Sequence, residues 1–304
     1  MRITVEYPVD GPGHHPELHD ASSVKRLAVA ADEAGAYAVA FTEHPAPSLK
    51  WLRGGGHQTF DPIAALSFCA AVTTSVRMMT YLLVLPHRNA LAAAKSLASL
   101  DRLADGRLVV VAGAGYLRSE FRSLGVEMDD RNAIFDEALT VMRGVWTQVP
   151  FDHEGRFARA VQVAQLPSPV QDGGPPILIG GNSARARRRA AGQQGWSPML
   201  VSPPVTTTAR TPGIAGIDEL GGLIRELREE TLRIQGPGVE PDVQVETWES
   251  DVLREGGDLA KHAEHLRALE EAGVSSFVVR LPATGLSDAV RGLERYLDRF
   301  ATNV

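Results

Sequence analysis

The sequence holds a single cysteine, Cys69, among 304 residues. One thiol closes no internal disulfide and supplies no thiolate cluster for a metal. No run of about 18 apolar residues free of charge occurs, so no membrane-spanning helix is expected. Met1 to Pro8 carry one Arg and no apolar stretch long enough for a secretory signal, and a cytoplasmic location is the expectation. An excess of positive charge is missing too. The formal net charge is −6, which argues against a general nucleic-acid binder. Lysine is scarce: of 31 basic residues only Lys25, Lys50, Lys95 and Lys261 are Lys, a bias in keeping with a GC-rich genome. Neither a G-x-S-x-G nucleophile elbow nor a P-loop is present.

What remains is an ordinary globular composition, 44% hydrophobic and 22% charged, which excludes disorder, collagen and coiled coil as the main organisation. Its dominant pattern is alternation. Strands are expected near Ile3–Tyr7, Ala36–Thr42, Arg77–Val84, Leu108–Ala112, Pro176–Ile179, Gly195–Met199, Val243–Thr247 and Ser275–Arg280. Helices are expected at Ser22–Ala34, Pro62–Thr74, Leu91–Leu103, Arg131–Trp146, Ala184–Gly192, Ile217–Ile234, Leu259–Ala272 and Ser287–Phe300. Alternating strands and helices imply parallel pairing with right-handed crossovers. Eight such units point to a single closed (β/α)8 TIM barrel over residues 1–304, with an open sheet as the alternative. Punctuation agrees: Asp61-Pro62 reads as an N-cap with proline at the first helical position, and Gly35, Gly106 and Gly273 read as glycines just past helix ends. Three stretches exceed a minimal barrel: 45–59, 150–169 and 202–216. The first is Gly-rich, the second reads as a two-stranded insertion, and the third is Pro- and Thr-rich and expected to be mobile. Long loops of this kind serve as lids or binding loops.

Barrel active sites lie at the carboxyl ends of the strands, so the residues after each strand carry the functional reading. Glu43 and His44 follow the second strand. A His beside a carboxylate suits general acid–base work because its pKa lies near neutrality; the plainer alternative is a His bonded at the rim for structure. In the third strand Thr80 and Tyr81 interrupt an apolar run, and a buried Tyr hydroxyl needs a partner. Gly113, Gly115 and Tyr116 follow the fourth strand, where glycines allow close backbone approach to a ligand. Arg118 replaces the third glycine of a dinucleotide fingerprint. After the fifth strand, Gly180, Gly181, Asn182 and Ser183 lead into a helix start, an arrangement that favours an anion. Arg185 then lies in the first turn, while Arg187 to Arg189 read as a solvated face. His14, His15 and His19 fit an exposed loop, and no metal site is expected. His262 and His265 fit a solvated helix face.

Taken together these motifs resemble the bacterial luciferase-like monooxygenase superfamily. The pieces that carry the resemblance are Phe60-Asp61-Pro62-Ile63-Ala64-Ala65-Leu66, the stretch from Pro86-His87-Arg88-Asn89 to Leu100–Leu108, the Gly113–Phe121 segment, and Arg131 to Trp146. The Glu270–Val274 segment and the Asp258–Leu266 helix are most similar to the branch that uses the deazaflavin coenzyme F420. The resemblance implies a TIM barrel, a homodimer and a reduced deazaflavin or flavin (FMN) over the carboxyl rim. It implies His44 at the reacting face with Glu43 beside it, and a non-prolyl cis peptide at Thr80–Tyr81 or Tyr81–Leu82. It further implies Gly113, Gly115 and Tyr116 flanking the cofactor, and a phosphate at Gly180, Gly181, Asn182 and Ser183 within reach of Arg185. Tyr116 stands where sugar-phosphate dehydrogenases of the family carry an acid, which argues against that substrate. The activity implied is hydride transfer between coenzyme F420 and a small organic substrate. The alternative is an FMN-dependent monooxygenase supplied by a flavin reductase.

Overall fold

The computed structural model describes residues 1–8, 13–254 and 256–301. Eight parallel strands form its centre: β1 (Arg2–Glu6), β2 (Ala38–Phe41), β3 (Arg77–Val84), β4 (Leu108–Gly113), β5 (Ile177–Gly180), β6 (Gly195–Ser197), β7 (Asp242–Thr247) and β8 (Ser276–Arg280). The ring closes where β8 pairs with both β7 and β1, Phe277 lying opposite Val245 on one side and Ile3 on the other. The closed barrel replaces the open-sheet alternative. Eight helices pack outside: α1 (Ala21–Glu33), α2 (Pro62–Ala70), α3 (Ala90–Leu103), α4 (Arg131–Thr147), α5 (Ala184–Ala191), α6 (Ile217–Gln235), α7 (Leu259–Glu271) and α8 (Leu286–Phe300). No helix among the described residues is long and apolar enough to cross a membrane.

Local chemistry explains the boundaries. Asp61 caps α2 by accepting from the amides of Ile63 and Ala64, both at 3.0 Å, with Pro62 at the first position. Gly35 and Gly273 take φ of +75° and +101° at helix ends, a conformation that costs a β-carbon residue. Strand periodicity then sorts side chains into two layers. Ile3, Val5, Val110 and Phe277 face the helices in the main core. Ala38, Ala40, Met79, Val109, Val111 and Leu178 fill the barrel interior. Thr4 faces inward between them, its hydroxyl donating to Gln244 Oε1 at 2.8 Å. The same period-2 alternation carries Glu6, two residues on, to the inner face at the carboxyl rim.

The three long connections have internal structure. Residues 45–59 hold a short helix, Leu49–Arg53, capped by Ser48. Residues 150–169 hold the expected hairpin, Phe151–Glu154 paired antiparallel with Arg159–Val163; Glu137 on α4 receives the amides of Phe157 and Ala158 at its turn. Residues 202–216 hold a helix at Pro203–Thr208 where only irregular chain was expected. Pro198 splits the sixth strand, which resumes as Met199–Leu200 beside β7. The solvated reading of His262 and His265 is corrected. His262 is fully buried, with Nδ1 3.1 Å from Glu249 Oε2 and Nε2 2.7 Å from the Tyr296 hydroxyl. His265 Nε2 lies 2.9 Å from Thr247 Oγ1. The helix packs this edge against α8 and β8, and the imidazoles stay inside because each finds a polar partner.

Candidate active site

A cleft of about 1810 Å³ opens at the carboxyl ends of the strands, reached by side chains from Glu6 on β1 round to Arg280 on β8. Its floor is built around Leu82. The Tyr81–Leu82 peptide is cis, at one of the two bonds expected, and Thr80 faces β4, its hydroxyl donating to Val111 O at 2.9 Å. A Cβ added at Gly113 would lie 2.5 Å from Leu82 Cδ1, and one at Gly180 would collide with Leu82 Cδ2. Gly115 has φ +76°, and a Cβ there would sit 2.7 Å from Val84 Cγ1. These glycines therefore clear room for apolar side chains under the cleft, a packing demand that the sequence reading did not anticipate.

His44 stands on one wall. Its Nδ1 lies 3.3 Å from Glu120 Oε2 and its Nε2 3.5 Å from the Tyr116 hydroxyl. The Leu49–Arg53 helix brings Trp51 against the ring, with centroids 4.5 Å apart, and His57 sits edge-on at 4.9 Å. Burial, with His44 adding to it, pushes the His57 imidazole down to about 3. Glu43 also borders the cleft but faces the other way: its carboxylate receives the Val84 amide at 2.6 Å and the Arg88 guanidinium. Burial raises the Glu43 carboxyl, and the charge of Arg88 opposes the rise. The acid that bonds His44 is thus Glu120, 76 residues on, rather than its neighbour in sequence.

A second group of charges lies at the rim between β7, β8, β1 and β3. The Arg280 guanidinium donates to Glu6 Oε2 at 3.1 Å, to Asp251 Oδ2 at 2.7 Å and to Glu246 Oε1. The Tyr81 hydroxyl donates to Glu246 Oε2 at 2.9 Å, the partner that a buried phenol requires. Burial, reinforced by Glu246, holds the Tyr81 phenol well above its ordinary range. Glu6 is raised, first by burial. Glu6, Glu120, Glu246 and Arg280 were not singled out from the sequence. The available signal was a charged residue closing an apolar strand, as in Val245-Glu246 and Val279-Arg280.

The Gly180–Ser183 turn is corrected in part. Gly181 N donates to Ser197 O at 3.1 Å and Asn182 N to Thr211 Oγ1 at 2.8 Å, so neither amide is free for a phosphate. Asn182 is buried, and its side chain ties the turn to Met199 and Pro212. Ser183 caps α5 as expected, accepting the Ala186 amide at 3.1 Å. The first-turn amides before Ala186 lie outside the helix ladder, and Arg185 borders the cleft beside them. The N-terminus of α8 is filled instead: Leu286 N donates to Glu17 Oε1 at 2.8 Å. Arg187 and Arg189 are not a solvated face. Arg187 bonds Asn182 O at 3.0 Å, and Arg189 lies over Phe135 and pairs with Asp136 at 2.6 Å.

A family model described as luciferase-like monooxygenase matches residues 1–215. An FMNH(2)-dependent dimethylsulfone monooxygenase of Pseudomonas fluorescens is 32% identical over 176 residues, 57% of this chain and 46% of that protein. The chain thus covers less than half the length of that relative. An uncharacterized protein of Mycobacterium tuberculosis is 32% identical over 246 residues, 80% of this chain and 77% of that one. Among solved structures, monooxygenase RslO1 from Streptomyces bottropensis superposes with a TM-score of 0.76 at 23% identity, covering 99% of this chain and 98% of that one. An F420-dependent secondary alcohol dehydrogenase reaches 0.76 at 15%, covering 98% and 97%. At such identities these superpositions speak for the fold.

Proposed function

Because the chain belongs to the luciferase-like monooxygenase family, we propose that it is an oxidoreductase that moves a hydride between the deazaflavin coenzyme F420 and a small organic substrate, with His44 as the acid–base group. The observation that carries this reading is the placement of His44: a buried imidazole, held by a carboxylate, facing an apolar-floored cleft large enough for a tricyclic ring.

The residues present fit such a group. The Leu82 floor, cleared by Gly113 and Gly180, offers an apolar support of the kind that a flat ring stacks on. The Thr42 hydroxyl borders the cleft buried and without a hydrogen-bond partner, so it is available to a polar ring edge. The first-turn amides of α5 and Arg185 suit a phosphate. When bound, the deazaflavin supplies the hydride chemistry. The chain's part is to orient the substrate, exclude water and move a proton at His44 Nε2. Arg118, Arg185 and Arg210 line the cleft and form no ion pair among the described residues. These unpaired cations favour the acidic tail of the deazaflavin over FMN. The FMN-dependent monooxygenase reading, with a partner reductase and dioxygen, draws its support from the dimethylsulfone monooxygenase relative.

Calorimetric titration with each cofactor separates the two. The deazaflavin is expected to bind at least ~10-fold tighter, a difference of about 1.4 kcal/mol, with an affinity that falls as salt screens the arginines. The reverse order would replace this reading with the FMN one. His44→Ala is expected to cut turnover ~10²–10⁴-fold while cofactor affinity stays within a few-fold. Unchanged turnover would make His44 a structural rim residue.

A further inference from the structure

The glycine-rich end of the 45–59 connection returns the chain to the cleft. Gly55 takes φ +93°, and a Cβ at Gly56 would lie 2.4 Å from Trp51 Cε3. The backbone therefore turns over the indole and sets His57 edge-on to His44. His57 lines the cleft, and neither of its ring nitrogens has a hydrogen-bond partner among the described residues. The charges that reach it are those of His44, Arg280 and Arg254, so it lies on the side of His44 that holds the rim cluster. A neutral imidazole offers one donor and one acceptor in either tautomer.

Beside it the cations are all committed. The three nitrogens of the Arg280 guanidinium go to Glu6, Asp251 and Glu246. Arg254 donates to Leu281 O at 3.0 Å and lies 3.4 Å from Asp251. Three carboxyl groups thus meet two guanidiniums, and even with one of the three protonated no guanidinium is left over. Glu6 is 4% exposed and borders the cleft, yet its Oε1 has no partner among the described residues. Lys50, Arg291 and Arg295 on this side are exposed at the mouth. An anion brought to the corner would find no free cation and would meet acids, at the full cost of a desolvated charge. An uncharged oxygen needs only a hydrogen-bond partner, and His57 and Glu6 Oε1 stand open. The uncommitted arginines, Arg118, Arg185 and Arg210, form no such cluster with carboxylates.

We propose that the corner between His57 and the Arg280 cluster is the substrate subsite, that His57 and Glu6 are its specificity-determining groups, and that it takes an uncharged hydroxyl or carbonyl in preference to a carboxylate or phosphate. This names the substrate class for the proposed hydride transfer and rests on that reading for its meaning in turnover. The selectivity itself belongs to the cleft and is measured without turnover, so failure of the hydride-transfer reading leaves the test intact.

The probes are cyclohexanol, cyclohexanone and cyclohexanecarboxylate, matched in ring size. Their affinities are measured by ligand-observed NMR on cofactor-free protein, with inorganic phosphate present to occupy the uncommitted arginines. The alcohol and the ketone are expected to bind more tightly than the carboxylate, and a carboxylate bound more tightly than both overturns the proposal without need of a variant. His57→Phe keeps a ring against Trp51 and His44 and removes both nitrogens. It is expected to weaken the alcohol and the ketone ~3–10-fold, the worth of one uncharged hydrogen bond, and to leave the carboxylate unchanged. His57→Gln restores a donor and an acceptor and is expected to recover most of that loss. Unchanged alcohol and ketone affinity in His57→Phe, an equal loss for all three probes, or a His57→Gln protein as weak as His57→Phe would each make His57 a packing residue and overturn the assignment.

Discussion

Replacing Arg280 by Met tests whether the rim cluster is held by one guanidinium. The side chain is 23% exposed and serves three carboxylates, of which those of Glu6 and Glu246 are 5% and 7% exposed. Met retains most of the apolar stem and removes every donor. Two largely buried acids then face each other, with Tyr81 bonded to one of them. Breaking a buried ion pair from one side costs ~3–5 kcal/mol, because the remaining charge is left desolvated. With an unfolding entropy of ~2.1 cal/mol/K per residue, 304 residues give roughly 0.6 kcal/mol per degree, so Tm should fall by about 5–8 °C. The deficit should depend on pH with a defined sign. Burial raises the Glu6 carboxyl, Arg280 opposes the rise and Glu246 adds to it. Removing Arg280 raises it further. A raised folded-state pKa means that stability present at low pH is lost as pH rises through that value. The loss in Arg280→Met should therefore be larger at pH 8 than at pH 5, and Glu6→Gln in the same chain should recover part of it at pH 8. Scanning calorimetry at the two pH values is the assay. An equal deficit at both, or one below about 1 °C as for an ordinary surface change, would refute the reasoning.

Two further outcomes are expected. Gly113→Ala places a methyl 2.5 Å from Leu82 Cδ1; Leu82 can swing aside, so stability should fall only ~1 kcal/mol, while cofactor affinity by calorimetry drops several-fold, and an unchanged affinity would remove Leu82 from the cofactor floor. Acid should weaken the fold through His57 and His87, which burial pushes down to about 3 and about 4. Unfolded histidines take up protons near 6.5, so stability is full above that value and is lost as pH falls toward the folded values. At ~1.4 kcal/mol per pH unit for each fully shielded ring, less for partial exposure, the urea midpoint should drop between pH 7 and 5, and a His57→Gln, His87→Gln chain with the same slope would refute this cause.

The sequence by itself determined the architecture and one wall of the site. Period-2 strands separated by capped helices leave few topologies open, and the Asp61 cap, Gly35 and Gly273 mark boundaries through contacts within a few residues of each other. His44 was legible because it follows a barrel strand, at the end of the barrel where active sites are built. Pairing across the barrel was decided only by tertiary structure. Arg280 reaches Glu6 at a separation of 274 residues, because β8 closes on β1. Glu120 rather than the adjacent Glu43 bonds His44, because Glu43 is claimed by Val84 and Arg88. The same holds for the turn after β5, where Thr211 and Ser197 fold back to take the amides of Asn182 and Gly181. His262 resembles a surface residue by spacing alone and is buried because α8 supplies Tyr296. Local pattern reports what each residue prefers; which donor meets which acceptor depends on where ring closure and loop packing bring distant segments together.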